Sequence, residues 1–376
     1  MKKILFISNA MPTKLGGMRS LYYNMVAFSK KFEVHFIRVR TGGGEDALIR
    51  LPGFVKFSQA DAGGGIHPSA LLMPIHARTI MKMQGAQRSI QDYIDENGID
   101  VVLTHAMDVS FAFRKLSAPV KVANQIDSFA RYYTSKREAG ANVMTVALEI
   151  LQRFLYYFVE RELSGNFDLV AYVSSTDIDR KNAARSFVIT QGRDPPVKKR
   201  NVGKRPIDAV LLGRWEHPPN RDGIARVMAG LAGVEGKVAI IGPSLKAGGI
   251  PSNARYLGMV PDIDGYLDRA KVCIIPVWYG AGLQTKVFDA LRHGCLVATT
   301  GFTKQAFDAN GFEAKEIMVS DDLVGATNAV LGSYSPKQAA GAYAAYDRFY
   351  GINAKAEKEY VRRVAWLAEK AHQSSP

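Results

Sequence analysis

Residues 276–295, PVWYGAGLQTKVFDALRHGC, have the types and spacing best suited to bind a charged ligand. The turn Gly280-Ala281-Gly282 follows the apolar run Val272–Pro276 and precedes a helix-like segment carrying Lys286 and Asp289, which Gly294 stops. A glycine turn feeding a helix frees backbone N–H groups at the positive end of the helix dipole, an arrangement that suits phosphate. A carboxylate one turn further in can accept hydrogen bonds from sugar hydroxyls. One such turn alone is weak evidence, so the rest of the chain decides. The first strand–helix turn holds Gly16-Gly17, a second place where backbone can approach phosphate. It lacks the GxGxxG spacing of a dinucleotide fingerprint, which argues against a nicotinamide enzyme. Two such turns suggest one ligand held in a cleft between two domains.

Those turns must be carried by strands. Apolar runs alternate with helix-like segments throughout: Ile4–Ser8, Val34–Val39, Val101–Leu103, Val120–Asn124 and Leu169–Val173, then Val210–Gly213, Val238–Ile241, Val272–Pro276 and Leu296–Ala298. Continuous apolar runs of this length belong to parallel sheets covered on both faces. The pattern predicts an α/β protein of two Rossmann-like, doubly wound domains facing across a cleft. The stretch Gln191–Pro206, rich in Gly, Pro and basic residues, reads as a linker. The domains are therefore expected at 1–195 and 196–352. A C-terminal helix at 353–376 either closes the second domain or crosses back to the first.

The chain has 376 residues, 47% hydrophobic and 22% charged, enough for two cores. Cys273 and Cys295 both sit in apolar runs and read as core residues, which fits a reducing cytoplasm. No Cys/His spacing suggests a metal site, and no metal or other cofactor is expected. The run Ile4–Ile7 after Met1-Lys2-Lys3 is too short for a signal peptide, and Val143–Val159 is interrupted by Glu149, Gln152 and Arg153, too polar to span a bilayer. Net charge is +14 and uneven: residues 1–200 carry 28 basic against 18 acidic side chains, and residues 201–376 carry 21 against 17. The charges are scattered, without a nucleic-acid-binding motif, so nucleic acid is not the expected partner. An anionic membrane surface or a diphosphate-linked acceptor fits better. Two segments combine apolar and basic residues as interfacial helices do: Leu71, Leu72, Met73 and Ile75 beside His76, Arg78 and Lys82, and Phe154, Leu155, Tyr157 and Phe158 beside Arg153 and Arg161. Aromatics at such spacing also pack in cores.

Taken together, these segments resemble the group-1, family-4-like retaining glycosyltransferases of GT-B fold, in their bacterial surface-polysaccharide branch. ILFISNAMPTKLGGMRS is similar to that family's first strand and Gly-Gly loop, and VVLTHAMD and FDLVAYVSSTDID to later strand ends. VITQGRD stands where the family has its hinge, and LLGRWEHPPNRDG where its second domain begins with a P-N-x-D motif. YLGMVPDIDGYLDRAKVCIIP and YGAGLQTKVFDALRHG are the most specific matches, adjacent and in register.

The resemblance implies a nucleotide-sugar donor and a saccharide or polyprenyl-diphosphate-linked acceptor, handled in the cytoplasm or on the inner face of its membrane. It implies that Asp289 takes the place of the family's second Glu and binds the ribose. The first Glu falls at Ala281, so donor-sugar contacts must come from the backbone around Gly282, Leu283, Gln284 and Thr285. Arg214 matches the family's diphosphate-binding Arg. The accompanying Lys is missing, and Arg221 or Lys286 can substitute, although both could equally belong to a solvated helix face. Gly16 and Gly17 complete the donor set. Asp127 stands near the family's acceptor-side His, which is lost here. It is the best candidate for touching the acceptor or reacting sugar, or it caps the helix beginning near Phe129. His105, with Asp127 and Arg214, is the remaining catalytic candidate, against a structural role as a hydrogen-bonded buried His. Arg131, Tyr132 and Tyr133 could line an acceptor cleft. A sugar-nucleotide 2-epimerase and a non-catalytic nucleotide-sugar or glycan binder of the same fold stay open.

Overall fold

The structure is a computed structural model, and it describes residues 1–13, 19–40, 54–61, 75–124, 127–140, 146–198, 200–246 and 248–373. The chain divides into two units. The first comprises Met1–Arg131, Ala147–Thr190 and Ala354–Pro376, and the second Tyr132–Val146 and Gln191–Asn353.

Among the described residues, the first unit is built on seven parallel strands: β1 (Lys3–Ser8), β2 (Glu33–Arg40), β3 (Phe54–Asp61), β4 (Val101–His105), β5 (Val120–Asn124), β6 (Leu169–Tyr172) and β7 (Ser186–Val188). Their order is β3-β2-β1-β4-β5-β6-β7. The intervening helices are α1 (Arg19–Phe28), α2 (Ile75–Gln84), α3 (Gln87–Asn97), α4 (Met107–Ala112), α5 (Phe129–Glu138) and α6 (Val146–Asn166). Strand β1 shows why its residues form a central strand. Ile4 and Phe6 join one buried layer with Phe28 of α1, while Leu5 and Ile7 join the other with Ile90 and Ile94 of α3. Apolar residues on both faces are what a sheet covered twice requires.

The second unit has six parallel strands: β8 (Ile207–Leu212), β9 (Val238–Ile241), β10 (Ala254–Gly258), β11 (Ala270–Ile275), β12 (Leu296–Thr299) and β13 (Ile317–Val319), ordered β10-β9-β8-β11-β12-β13. Its helices are α7 (Pro218–Met228), α8 (Ile263–Leu267), α9 (Thr285–Arg292), α10 (Gly301–Asp308), α11 (Leu323–Ser333) and the first part of α12 (Pro336–Gln373). Beyond Asn353, α12 belongs to the first unit, where Tyr360, Val361 and Val364 are buried beside Phe28.

Both units are doubly wound α/β sheets, as the alternating pattern predicts. In each, order reverses beside the first strand, between β1 and β4 and between β8 and β11. Such switch points, at the carboxyl ends of the strands, are where this architecture binds ligands.

Two details depart from the sequence reading. The stretch Gln191–Pro206 begins at the division between the units and holds no helix or strand among its described residues, yet its Arg205 is buried, the guanidinium donating to the carbonyls of Leu267, Ala270, Asn201 and His293 at 2.6–3.1 Å. Four carbonyl partners offset the cost of burying the cation. Residues Tyr132–Val146 also count with the second unit, through contacts no local pattern announces. Cys273 and Cys295 are buried and free, as expected. Burial pushes the Cys295 thiol up to about 12, so neither behaves as a reactive thiolate.

Candidate functional site

The β8/β11 switch point brings together two loops that the sequence keeps some 60 residues apart. After β8 the chain runs Gly213-Arg214-Trp215-Glu216-His217 into α7; after β11 it runs through Gly280–Gly282 into α9. Their approach depends on glycine. A Cβ on Gly223 of α7 would lie 1.7 Å from the Pro276 carbonyl, and one on Gly242 would lie 1.7 Å from the Gly213 carbonyl. Gly282 has φ of 67°, in the left-handed region that other residues enter only with strain.

The two loops are latched by the polar residues of Pro219-Asn220-Arg221-Asp222. Lys286 Nζ donates to Asn220 Oδ1 at 2.7 Å, while Asn220 Nδ2 donates to the Arg214 carbonyl at 3.0 Å. Tyr279 donates its hydroxyl to Asp222 Oδ2 at 2.6 Å. From α5, Ser135 Oγ donates to the Gly280 carbonyl and accepts from the Gly280 amide, at 2.7 and 2.9 Å. Tyr132 meets Tyr279 edge-on, 5.8 Å between ring centres.

This framework leaves a helix start open. Gln284 occupies the N-cap of α9 without a side-chain cap bond. Among the described residues, the amides of Leu283, Gln284, Thr285 and Lys286 meet no protein acceptor. Unsatisfied first-turn amides at the positive end of a helix dipole form a ready anion site. Lys286 lies half-buried in the same turn, about 6.0 Å from the centre of the Trp215 ring. Burial pulls its ammonium down to about 8, opposed by the nearby Cys273 and Asp289. Asp289 follows one turn later on α9, also half-buried. Arg214 is 77% exposed along its side chain and rests on Glu216 at 2.8 Å, a surface pair weak enough for an anionic ligand to displace. Arg221 is also exposed and pairs with its neighbour Asp222 at 3.0 Å, on the solvated face of α7, whereas Lys286 sits in the first turn of α9.

In the first unit, Gly16 and Gly17 lie outside the described residues. His105 ends β4 fully buried, its Nδ1 2.8 Å from Asn124 Nδ2 and its Nε2 3.4 Å from Ser20 Oγ. With both ring nitrogens engaged, it ties β4 to β5 and α1 and leaves no nitrogen for a substrate. This removes it from the catalytic set. Asp127 is not the cap of α5. The cap is Ser128, whose Oγ accepts from the Arg131 amide at 3.1 Å. Ser128 Oγ in turn donates to the carboxylate of buried Glu160, which also accepts from the Ala130 amide at 3.2 Å. Burial raises the Glu160 carboxyl to about 7, against the lowering effect of those hydrogen bonds. Asp127 lies exposed at the start of α5.

Sequence reasoning missed Asn220, Ser135 and Glu160. Asn220 had a signal, an Asn at the start of a helix after two prolines. The other two had none, because their partners lie 145 and 32 residues away. Among the described residues, no group of three His, Cys, Asp or Glu side chains could hold a metal ion, and no helix is long and apolar enough to cross a membrane.

No family model matches the chain, and no curated protein matches it in sequence. Solved structures do match it in fold. Sucrose-phosphate synthase from Thermosynechococcus elongatus superposes with a TM-score of 0.70 at 14% identity, covering 100% of both chains. HepE from Anabaena in complex with UDP gives 0.64 at 13% identity, covering 96% of this chain and 99% of that one. The E. coli trehalose-6-phosphate protein bound with UDP-2-fluoro glucose gives 0.63 at 12% identity, covering 98% and 99%. The likeness is one of architecture: this chain has the two-unit α/β fold of the GT-B type.

Proposed function

We propose that this chain is a glycosyltransferase that takes its sugar from a nucleotide-sugar donor. The observation that carries the reading is the open start of α9, with Lys286 and Arg214 gathered beside it at the switch point of the second sheet. Structures of the same fold have been solved with UDP and a UDP-sugar analogue, which supports the choice of ligand. In this reading the amides of Leu283–Lys286 and the turn at Gly282 receive the diphosphate. Lys286 and Arg214 neutralise it, and Asp289 accepts from the ribose hydroxyls.

Departure of a nucleoside diphosphate places negative charge on phosphate oxygens. Preorganised cations and amides stabilise that charge more than they stabilise the ground state. Asp127 has the exposure to reach the acceptor or the reacting sugar, and a front-face displacement in which the leaving phosphate takes the acceptor's proton needs no dedicated base. Retention of configuration, a saccharide or polyprenyl-diphosphate-linked acceptor, a part in surface-polysaccharide assembly and a cytoplasmic, membrane-surface location complete the proposal. They rest on the sequence resemblance and on the excess of basic residues in the first half of the chain.

One observation favours a second reading, a binder of nucleotide sugars without transfer: Ala281 stands where the resemblance expects a carboxylate. Turnover separates the two. With a panel of nucleotide sugars and saccharide or lipid-linked acceptors, acceptor-dependent release of nucleoside diphosphate supports the transferase. Saturable donor binding with no release under any acceptor supports the binder.

A further inference from the structure

The exposed surface of α6 carries a feature that the donor site does not use. Ile150, Leu151, Phe154, Leu155 and Phe158 are each between 45% and 59% exposed. At 100° per residue they fall on one side of the helix over about two and a half turns. The opposite side is buried and holds the structural polar contacts: Tyr156 stacks on Phe129 at 4.9 Å, and Glu160 supports Ser128. The helix thus presents a run of large apolar side chains to solvent, where a surface helix ordinarily presents polar ones. Phe154 and Phe158 touch edge-on at 4.7 Å between ring centres, forming one continuous apolar ridge. Contiguous exposed apolar surface of this kind marks an interaction face.

The charges around the ridge select its occupant. Arg153 and Arg161 are exposed beside it, and among the described residues neither is paired with a carboxylate. Of the acidic groups on this helix, Glu149 and Glu160 are buried and Glu162 is bound to Arg114 at 2.9 Å. A second copy seated face to face would bring like charges together. An anionic surface that also accepts apolar side chains satisfies both features.

We infer that α6 is a membrane-docking helix, lying along an anionic bilayer with Phe154 and Phe158 at the acyl boundary and Arg153 and Arg161 among the lipid phosphates. The assignment deepens the membrane-surface part of the proposed function and is independent of the donor site. Of the two segments singled out in the sequence, it selects the second. Leu71, Leu72 and Met73 of the first lie outside the described residues.

The test is vesicle flotation of the full chain with phosphatidylcholine alone and with phosphatidylcholine containing phosphatidylglycerol, at low and high salt. The wild type is expected to float with anionic vesicles at low salt and to be released by salt. Phe154→Ser/Phe158→Ser is expected to lower partitioning at least about tenfold. Arg153→Gln/Arg161→Gln is expected to lower it several-fold and to flatten the salt dependence. Both side-chain pairs are solvent-exposed, so unchanged melting temperature and an unchanged thermal shift with a nucleoside diphosphate panel serve as controls for folding and for the donor site. The proposal is overturned if the wild type ignores anionic vesicles, or if the serine variant binds them like the wild type. It is equally overturned if sedimentation shows a wild-type dimer that the serine variant dissolves while neither form floats.

Discussion

In the second unit, the carboxyl ends of β8 and β11 collect Arg214, Lys286 and an uncapped helix start; in the first, the segments after β5 and β6 collect Asp127, Glu160 and the buried Asp177, whose Oδ2 accepts from the Ser128 amide at 3.3 Å. The topology is shared and the charge is opposite. Each helix start carries the same positive dipole end, but they meet different fates. The start of α5 is closed by Ser128 and by the carboxylate of Glu160, whereas that of α9 is left open. Of these two helix starts, only that of α9 offers an anion unsatisfied amides. The comparison teaches that whether a strand–helix turn binds phosphate depends less on its glycines than on whether the protein has already satisfied its amides.

The largest effects should come from removing one side of this contrast. Arg214→Ala and Lys286→Met should each lower kcat/KM by about 10²–10³, the scale of losing one donor to developing charge. Asp127→Asn should lower turnover while leaving nucleoside diphosphate affinity within about twofold. A fall in that affinity would break the division of labour between the units.

Next in size is the closed helix start. Glu160 has a folded-state carboxyl raised to about 7 above an unfolded value near 4.3. Its protonated form is therefore favoured by folding, a contribution present below the unfolded value and lost as pH rises through about 7. Glu160→Gln keeps an acceptor for Ser128 and Ala130 and removes the titration. Its stability relative to the wild type should rise between pH 5 and pH 8 by on the order of 2 kcal/mol, read from chemical denaturation at the two pH values.

Lys286 supplies a pH signature of the opposite unit. Its ammonium is drawn down to about 8, so diphosphate affinity should fall as pH rises through about 8, approaching tenfold per pH unit. Lys286→Arg, which stays charged, should flatten that fall. The smallest effect is expected from Asn220→Ala, which loses the hydrogen bond to Lys286 and should weaken donor binding several-fold, about 1 kcal/mol.

Much of this molecule was legible because its central strands are buried on both faces. β5 and β9 were read to the residue, and seven others to within a few positions. The four strands that escaped, β3, β7, β10 and β13, are the two edges of each sheet. An edge strand has one neighbour and exposes part of its surface, so it needs no apolar run; β10 is ARYLG with no fully buried residue, and β13 has only Ile317 buried. The site divides in the same way. Gly282, Lys286 and Asp289 could be found because turn, helix and spacing are local. His105 could not be judged from sequence, because Asn124 and Ser20, which occupy its ring, arrive from other elements. Arg205 was hidden for the same reason, a basic residue in a Gly/Pro-rich stretch whose four carbonyl partners are brought to it by the fold.

The central claim is that the start of α9, with Lys286, holds a nucleoside diphosphate. It is tested most directly by isothermal titration of nucleoside diphosphates, and of the matching unphosphorylated nucleosides, into the wild type and Lys286→Met. The account predicts one site in the wild type for at least one diphosphate, with affinity at least tenfold weaker for the nucleoside and at least tenfold weaker in Lys286→Met. Equal affinity in the two proteins, or no diphosphate binding by a folded wild type, would contradict it.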